Sequence, residues 1–369
     1  MTMTLDGTNG VTFNDTSLQG AAASPYVLKN RIINGAMVID QRNAGAAVTC
    51  DNNQVYAVDR FYAEDNSDGI FTVQQVADAP TGFLNSLKAT ITTADASLAG
   101  TQFAAFCQQI EGYNFADFNF GTANAQTFTL SFWVKSSLTG TFGGSFRNSA
   151  DNRCYPFSYT ISTANTWEKK TITVAGDTTG TWLTTNGIGL KVWFSLGAGA
   201  TYSSTAGSWQ SSLFVSTTGT VSVIGTLSAT FQITGVQLEQ NTVATPFERR
   251  LIGTEIELCQ RYFCKTFEIG TAPNNNITST GSLKGATRHG SALEPSANWK
   301  FPISMRTNPT VTLYNTGSGT AGQWSADGTA TSSSTARSQW IGTEGCAMDN
   351  TGNAFNNLSN IQASATAEL

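Results

Sequence analysis

At 369 residues, with 12% of them charged and a formal net charge of −5, the chain is long enough for more than one domain and lacks the cations that nucleic acid demands. Two isolated basic pairs, Lys169-Lys170 and Arg249-Arg250, do not make the clustered patch that releases counterions from phosphate. No stretch approaches the ~20 apolar residues of a membrane span. Met1 to Asp6 has neither the basic nor the apolar part of a secretory signal, so synthesis in a reducing cytoplasm is the expectation.

In chain order, residues 1–28 are expected to form an N-terminal attachment segment. Turn signals at Asp6-Gly7 and Asn9-Gly10 sit beside an alternating Val11/Phe13 strand, and Gly20 to Pro25 reads as a small-residue linker. A piece this short cannot bury an apolar face alone, so it is expected to dock on a partner or on copies of itself.

Residues 29–250 are written in period two. Phe128, Leu130, Phe132 and Val134 share one strand face, opposite Thr129, Ser131 and Trp133. Leu190, Val192, Phe194 and Leu196 repeat the pattern opposite Lys191, Trp193 and Ser195. Strands with one apolar and one polar face belong to antiparallel sheets, which predicts an all-β sandwich of jelly-roll type. In the last strand Phe231 and Ile233 fall out of phase with Val236 and Leu238 across Gly235, which predicts a β-bulge there.

The junction over 251–263 changes period. Thr254-Glu255-Ile256-Glu257 reads as a capping box, and Ile256, Cys259 and Phe263 recur at helical spacing, predicting a connecting helix over 254–263. Residues 264–369 return to strands, with Trp299 to Ile303 and Pro309 to Tyr314 as the clearest. Trp324, Trp340, Ile341, Phe355 and Ile361 are too apolar for a solvated tail despite the run Thr331 to Thr335. They predict a smaller C-terminal β domain, its core partly completed by neighbouring subunits.

Little in the chain advertises catalysis. The single histidine, His289, lies in a turn-like Ala286-Thr287-Arg288-His289-Gly290 without a nucleophile elbow, and no nucleotide-binding loop occurs. The carboxylates Asp59, Glu64, Asp65 and Asp68 cluster in sequence. Asp59 is expected to pair with Arg60, and Glu64 to Asp68 to cap a turn. The six cysteines never form a Cys-x-x-Cys pair and are read as small buried hydrophobes, so no metal and no cofactor is expected. Aromatic residues carry more. The long connection from Gly197 to Gly219 holds Tyr202, Trp209 and Phe214 among Ser, Thr and Gly, and Trp182 has a similar setting. Flat rings flanked by hydroxyls and amides suit stacking on a sugar face, so Trp182, Tyr202, Trp209 and Phe214 are the candidate glycan contacts. Trp133 and Trp193, on polar strand faces, suit a groove or a subunit contact.

Asn30 to Arg42 opens the β-rich region, and Phe231 to Gln240 followed by Thr245 to Arg250 closes it. With the Gly197–Gly219 connection and Leu258-Cys259-Gln260-Arg261-Tyr262, these stretches give residues 26–263 a layout that resembles the jelly-roll module of bacteriophage tail-fibre and related virion adhesion proteins. The resemblance implies a virion surface protein, a homotrimer, with a sandwich similar to carbohydrate-binding modules. It also implies a host-surface glycan as partner and attachment to other phage tail or virion proteins through the N-terminal segment. Many such modules hold calcium between first and last strands. Asn34 to Met37 and Gly235 to Gln237 carry no carboxylate, so none is expected here. Two other roles stay open: a purely structural collar, connector or capsid fibre, and a glycan depolymerase.

Overall fold

A computed structural model describes residues 28–273, 279–286, 297–326, 336–350 and 358–369, together with three backbone strands between residues 4 and 19. His289, Phe355 and the run Thr331 to Thr335 lie outside the described residues. The three strands, β1 (Thr4–Asp6), β2 (Gly10–Thr12) and β3 (Leu18–Gln19), form a small antiparallel meander of their own.

The sandwich begins with β4 (Val48–Cys50), β5 (Gln54–Val58), β6 (Phe61–Asp65), β7 (Ile70–Val76), β8 (Ser86–Thr93) and β9 (Phe103–Glu111). It continues through β10 (Phe128–Ser136), β11 (Gly140–Arg147), β12 (Cys154–Ile161), β13 (Glu168–Val174), β14 (Ile188–Ala198), the short β15 (Ser203–Ser204) and β16 (Ser216–Thr217), and β17 (Thr230–Glu239). Twelve of these make two antiparallel six-stranded sheets, ordered β13-β10-β17-β8-β7-β4 and β12-β11-β14-β9-β6-β5. The chain passes repeatedly from one sheet to the other, giving the jelly-roll sandwich that the alternation predicts.

Period two decides what lies between the sheets. Phe128, Leu130, Phe132 and Val134 of β10 face Leu190, Val192, Phe194 and Leu196 of β14 in one core, every one of them fully buried. The Gly235 bulge is present. Between the Ser131–Gln237 and Trp133–Thr234 pairs the register slips by one, Gly235 takes φ +59°, and Phe231, Ile233, Val236 and Leu238 all reach the core. The opening and closing stretches meet here. Asn30 accepts from the Leu238 amide at 3.0 Å, and a Cβ on Gly35 would lie 2.1 Å from the Val236 carbonyl oxygen.

Three local expectations are corrected. The Gly197–Gly219 connection has structure of its own, a 3-10 turn at Ala200–Tyr202 and a parallel ladder joining β15 to β16. The helix, α1, spans Ile252–Gln260 with Leu251 as N-cap and no side-chain cap, so Thr254 and Glu257 form no capping box. Tertiary bonds set its start instead. Arg250 donates to the Ile32 carbonyl at 3.1 Å and pairs with Glu255 at 3.4 Å, which fixes the chain to the sandwich just before the first turn. Phe263, expected on the helix, opens a strand. Finally, Asp59 does not pair with Arg60. The two occupy the tight turn between β5 and β6, where Arg60 at φ +71° diverges from its neighbour and reaches Glu368. Asp59 lies 4.0 Å from Arg42 instead and accepts from the Gln41 amide at 3.3 Å.

The C-terminal region comprises β18 (Phe263–Lys265), β19 (Leu283–Ala286), β20 (Ala297–Lys300), β21 (Thr310–Asn315), β22 (Ser325–Ala326), β23 (Ala336–Gln339), β24 (Gly345–Asn350) and β25 (Leu358–Thr366). β25 is the hub, pairing with β18, β19, β21 and β22, while β20-β24-β23 form a second sheet. Trp299, Phe301, Met305, Leu313, Trp324, Met348 and Ile361 pack together in one core. Trp340 is left 71% exposed. Charges join this region to the sandwich: Glu368 meets Arg42 at 2.6 Å as well as Arg60, and Arg261 meets Glu111 at 2.6 Å. All six cysteines are free and buried.

Candidate functional site

The alternation that fills the core also fixes what the outward face of the β12-β11-β14-β9-β6-β5 sheet presents. With Phe61 and Ala63 turned inward, Tyr62 and Glu64 of β6 point out, as do Phe103 and Gln109 of β9 and Lys191 and Trp193 of β14. This face, on which Trp193 was expected to suit a groove or a subunit contact, is covered. Tyr62, Phe103, Ala105, Cys107, Trp193 and Val215 form a second, smaller apolar cluster beneath the Gly197–Gly219 connection, with Tyr56 and Tyr202 packed against it. Next to this cluster the connection leaves a recess of about 360 Å³.

The recess has an aromatic wall and a polar one. Trp193 stands edge-on to Phe103 at 5.6 Å and to Tyr62 at 6.3 Å, and Tyr202 meets Phe103 at 5.2 Å. The Arg147 guanidinium lies 4.7 Å from the Trp193 ring centroid, a cation–π contact within a desolvated setting. Asp151 holds both cations of the polar wall: Arg147 at 2.8 Å, and Lys191 Nζ at 2.8 Å from each carboxylate oxygen. Gln109 donates through Nε2 to the Tyr62 hydroxyl at 2.9 Å.

Three polar atoms here are buried without a partner: Gln109 Oε1, Arg147 Nε and Trp193 Nε1. Their residues are 9%, 4% and 3% exposed. Each such atom costs about 1–3 kcal/mol of desolvation, and native proteins rarely gather several in one place. Glu64, half-buried beside them, has no hydrogen-bond partner among the described residues. Burial raises its pKa, while Arg147 and Lys191 pull it down. Burial likewise pushes the Cys107 thiol up to about 12, so it stays neutral and unreactive. With Asp151 engaged by two cations, the recess offers donors and acceptors for hydroxyl groups; Glu64 is its unengaged carboxylate.

The four aromatic residues selected from the sequence fall in two places. Tyr202 lies on the recess, and Phe214 is half-buried between two of its lining residues, Leu213 and Val215. Trp182 and Trp209 lie elsewhere, 5.4 Å apart and nearly perpendicular, within a cluster containing Phe115 and Phe120. Trp182 donates to the Thr179 carbonyl at 3.1 Å and Trp209 to that of Ala175 at 2.8 Å, so both rings tie loops to the sandwich. Sequence reasoning put Trp193 on an outer face but missed Tyr62, Gln109 and Arg147. The one signal for them was the strict alternation that places large rings where a solvated face should carry small polar residues. Glu64 had been read as part of a turn cap. Asp65 does that work alone, accepting from the Ser67 hydroxyl at 2.6 Å.

No protein-family model matches this chain, and neither does any curated protein. Solved structures do overlap it. One is the enzymatically active domain of tailspike protein 4 from bacteriophage CBA120, at 17% identity and a TM-score of 0.30, covering 60% of this chain. A CBM4 structure overlaps at 15% identity and a TM-score of 0.27, covering 56% of this chain and 98% of its own. The family 11 carbohydrate-binding module of Clostridium thermocellum, in complex with a β-1,3-1,4-mixed-linked tetrasaccharide, gives 10% identity and a TM-score of 0.28, covering 54% of this chain and 98% of its own. The chain spans 22% of the length of the tailspike structure it matches.

Proposed function

We propose that the protein is a non-catalytic adhesion component of a phage virion appendage, assembled as a homotrimer, that binds a host-surface glycan through the outward recess. The observation that carries this reading is the set of unpartnered Gln109 Oε1, Arg147 Nε and Trp193 Nε1 around one aromatic wall. Two donors and an acceptor beside flat rings match the hydroxyls and the apolar face of a sugar. A surface low in charge and rich in Ser, Thr and Asn supports the same ligand class, and three copies on one particle would raise apparent affinity by roughly 10²–10⁴ on a polyvalent surface.

The test pairs binding with stability. Glu64→Gln changes a half-buried side chain that holds no structural bond, so its stability effect should stay within about 0.5 kcal/mol. Glycan binding on an array and adsorption to host cells should fall about tenfold, the value of one charged hydrogen bond at a binding site. Array-wide silence of the wild type, together with normal host adsorption by particles lacking the protein, would remove the reading. A purely structural place in the particle is favoured by the exposed aliphatic residues beside α1. Electron microscopy locating the protein inside the particle rather than at an appendage tip would select it.

A further inference from the structure

A second opening in the sandwich, of about 490 Å³, lies where the first stretch of the domain passes the ends of β10 and β17. Lys29 and Arg31, two positions apart on that stretch, line one side. Gln126 and Thr127 ahead of β10, and Gln240, Asn241 and Thr242 after β17, line the rest. Bonds within the protein hold these walls. The Arg31 amide donates to the Leu238 carbonyl at 2.8 Å, the Gln126 amide to that of Phe118 at 2.8 Å, and the Thr129 hydroxyl to that of Asn241 at 2.8 Å. A site whose backbone is fixed beforehand loses little further freedom on binding.

Its charge is one-sided. The lining holds two cations and, among the described residues, no carboxylate. The recess differs, since Asp151 holds both of its cations. Lys29 bonds only to neutral oxygens, the Thr245 hydroxyl and the Pro246 carbonyl, which uses two of its three ammonium protons. Arg31 gives one terminal nitrogen to Asp117 at 2.6 Å, and its Nε is buried without a partner. Neighbouring carboxylates are turned to other groups. Glu239 accepts from Gln237 at 2.8 Å and from the Thr245 amide and hydroxyl at 2.9 and 2.7 Å, and Glu248 takes the Asn30 amide at 2.7 Å. The side chains of Thr127, Gln240 and Thr242 bond to nothing among the described residues, and Gln240 and Thr242 stand exposed at the rim.

Spare donors on two cations, ringed by unengaged hydroxyls and an amide, complement an oxyanion carried on a hydroxylated ring. The cations make charge-assisted bonds to the anion, and the neutral groups bond to the hydroxyls beside it. We propose that this opening is a second ligand site, which takes the carboxylate of an acidic sugar between Lys29 and Arg31. It uses none of the residues of the recess and stands or falls independently of it.

The test is calorimetric titration of the full chain at low salt with a glucuronic acid tetrasaccharide, with the same tetrasaccharide after its carboxyls are reduced to hydroxymethyl groups, and with inorganic phosphate. Wild type is compared with Lys29→Gln, Gln240→Glu and Glu64→Gln. Gln240→Glu adds a charge to an exposed side chain that bonds to nothing, so its thermal midpoint should match wild type, and it keeps the test decisive if Lys29→Gln loosens the tie to Thr245. Wild type should bind the acid at least about tenfold more tightly than its reduced twin, with the preference shrinking as salt rises. Lys29→Gln and Gln240→Glu should each weaken acid binding about fivefold or more and leave the twin unaffected. No binding of the acid, equal affinity for acid and twin, or wild-type acid affinity in a normally folded Gln240→Glu overturns the proposal. Acid binding that is lost with Glu64→Gln but kept with Gln240→Glu places the ligand in the recess and also overturns it. Phosphate bound as tightly as the tetrasaccharide, and weakened by the same two substitutions, would show a simple anion site and overturn the sugar assignment.

Discussion

Trp182 and Trp193 are both nearly buried, at 8% and 3% exposure, yet their indole nitrogens are treated differently. Trp182 donates to a carbonyl, as does its neighbour Trp209, while Trp193 Nε1 has no partner, and nor do two polar atoms near it. The carboxylates divide in the same way. Glu368 is engaged by Arg42 and Arg60 and fastens the C-terminal region to the sandwich, whereas Glu64 stands beside the recess with no hydrogen-bond partner among the described residues. The fastening is not complete everywhere, since Arg42 and Arg60 each keep a buried Nε without a partner while their terminal nitrogens hold Glu368. What sets the recess apart is that three unpartnered atoms gather around one aromatic wall beside Glu64, a better pointer to a ligand than an aromatic residue in a loop.

The largest expected effect tests the satisfied side of this comparison. Glu368→Gln leaves Arg60, 2% exposed, without its charge partner and should cost about 3–5 kcal/mol in urea unfolding, typical of breaking a buried pair. A cost below about 1 kcal/mol would show that the two regions are held by packing rather than charge.

Next in size is a pH dependence. Burial raises the Asp59 carboxyl from 3.8 to about 7 in the folded protein. The folded state thus holds this proton more tightly than the unfolded chain does. Its contribution to stability is complete below pH 3.8 and is lost as pH rises through about 7. The slope approaches about 1.4 kcal/mol per pH unit across that window. Unfolding midpoints of wild type and Asp59→Asn from pH 4 to 8 should differ by this slope. Parallel curves would mean that Arg42 and Gln41 keep Asp59 ionised throughout.

The smallest effect separates the two tryptophans directly. Trp182→Phe discards a made hydrogen bond and strands the Thr179 carbonyl. Trp193→Phe removes a donor that had no partner. The first should cost about 1–2 kcal/mol more than the second, while only the second weakens glycan binding. Equal costs with no change in binding would place Trp193 among the architectural rings.

The sandwich was legible because its strands repeat one local rule. Phe128 to Val134 and Leu190 to Leu196 each declare an inner face within seven residues, and Gly235 marks its own bulge. The recess was not legible, because Tyr62, Gln109, Arg147 and Trp193 come from four strands spread over some 130 positions, and nothing near any one of them names the others. Local signals also misplaced α1. Thr254 and Glu257 have the right spacing for a capping box, but Arg250, tied to the Asn30–Ile32 backbone, fixes where the helix begins. Asp59 and Arg60 show the same limit, since adjacent opposite charges in a tight turn need not meet.

The hub position of β25 constrains the order of events during synthesis. Its partners β18, β19, β21 and β22 leave the ribosome before it, and they share no ladder until Leu358–Thr366 has been made. The sandwich, whose strands are complete by Glu239, can therefore fold while the C-terminal region is still an unpaired chain carrying Trp299, Phe301 and Trp324. Until then Arg60 has no carboxylate and Arg42 has only Asp59, 4.0 Å away, so the finished sandwich presents a positively charged landing point where the last strand delivers Glu368.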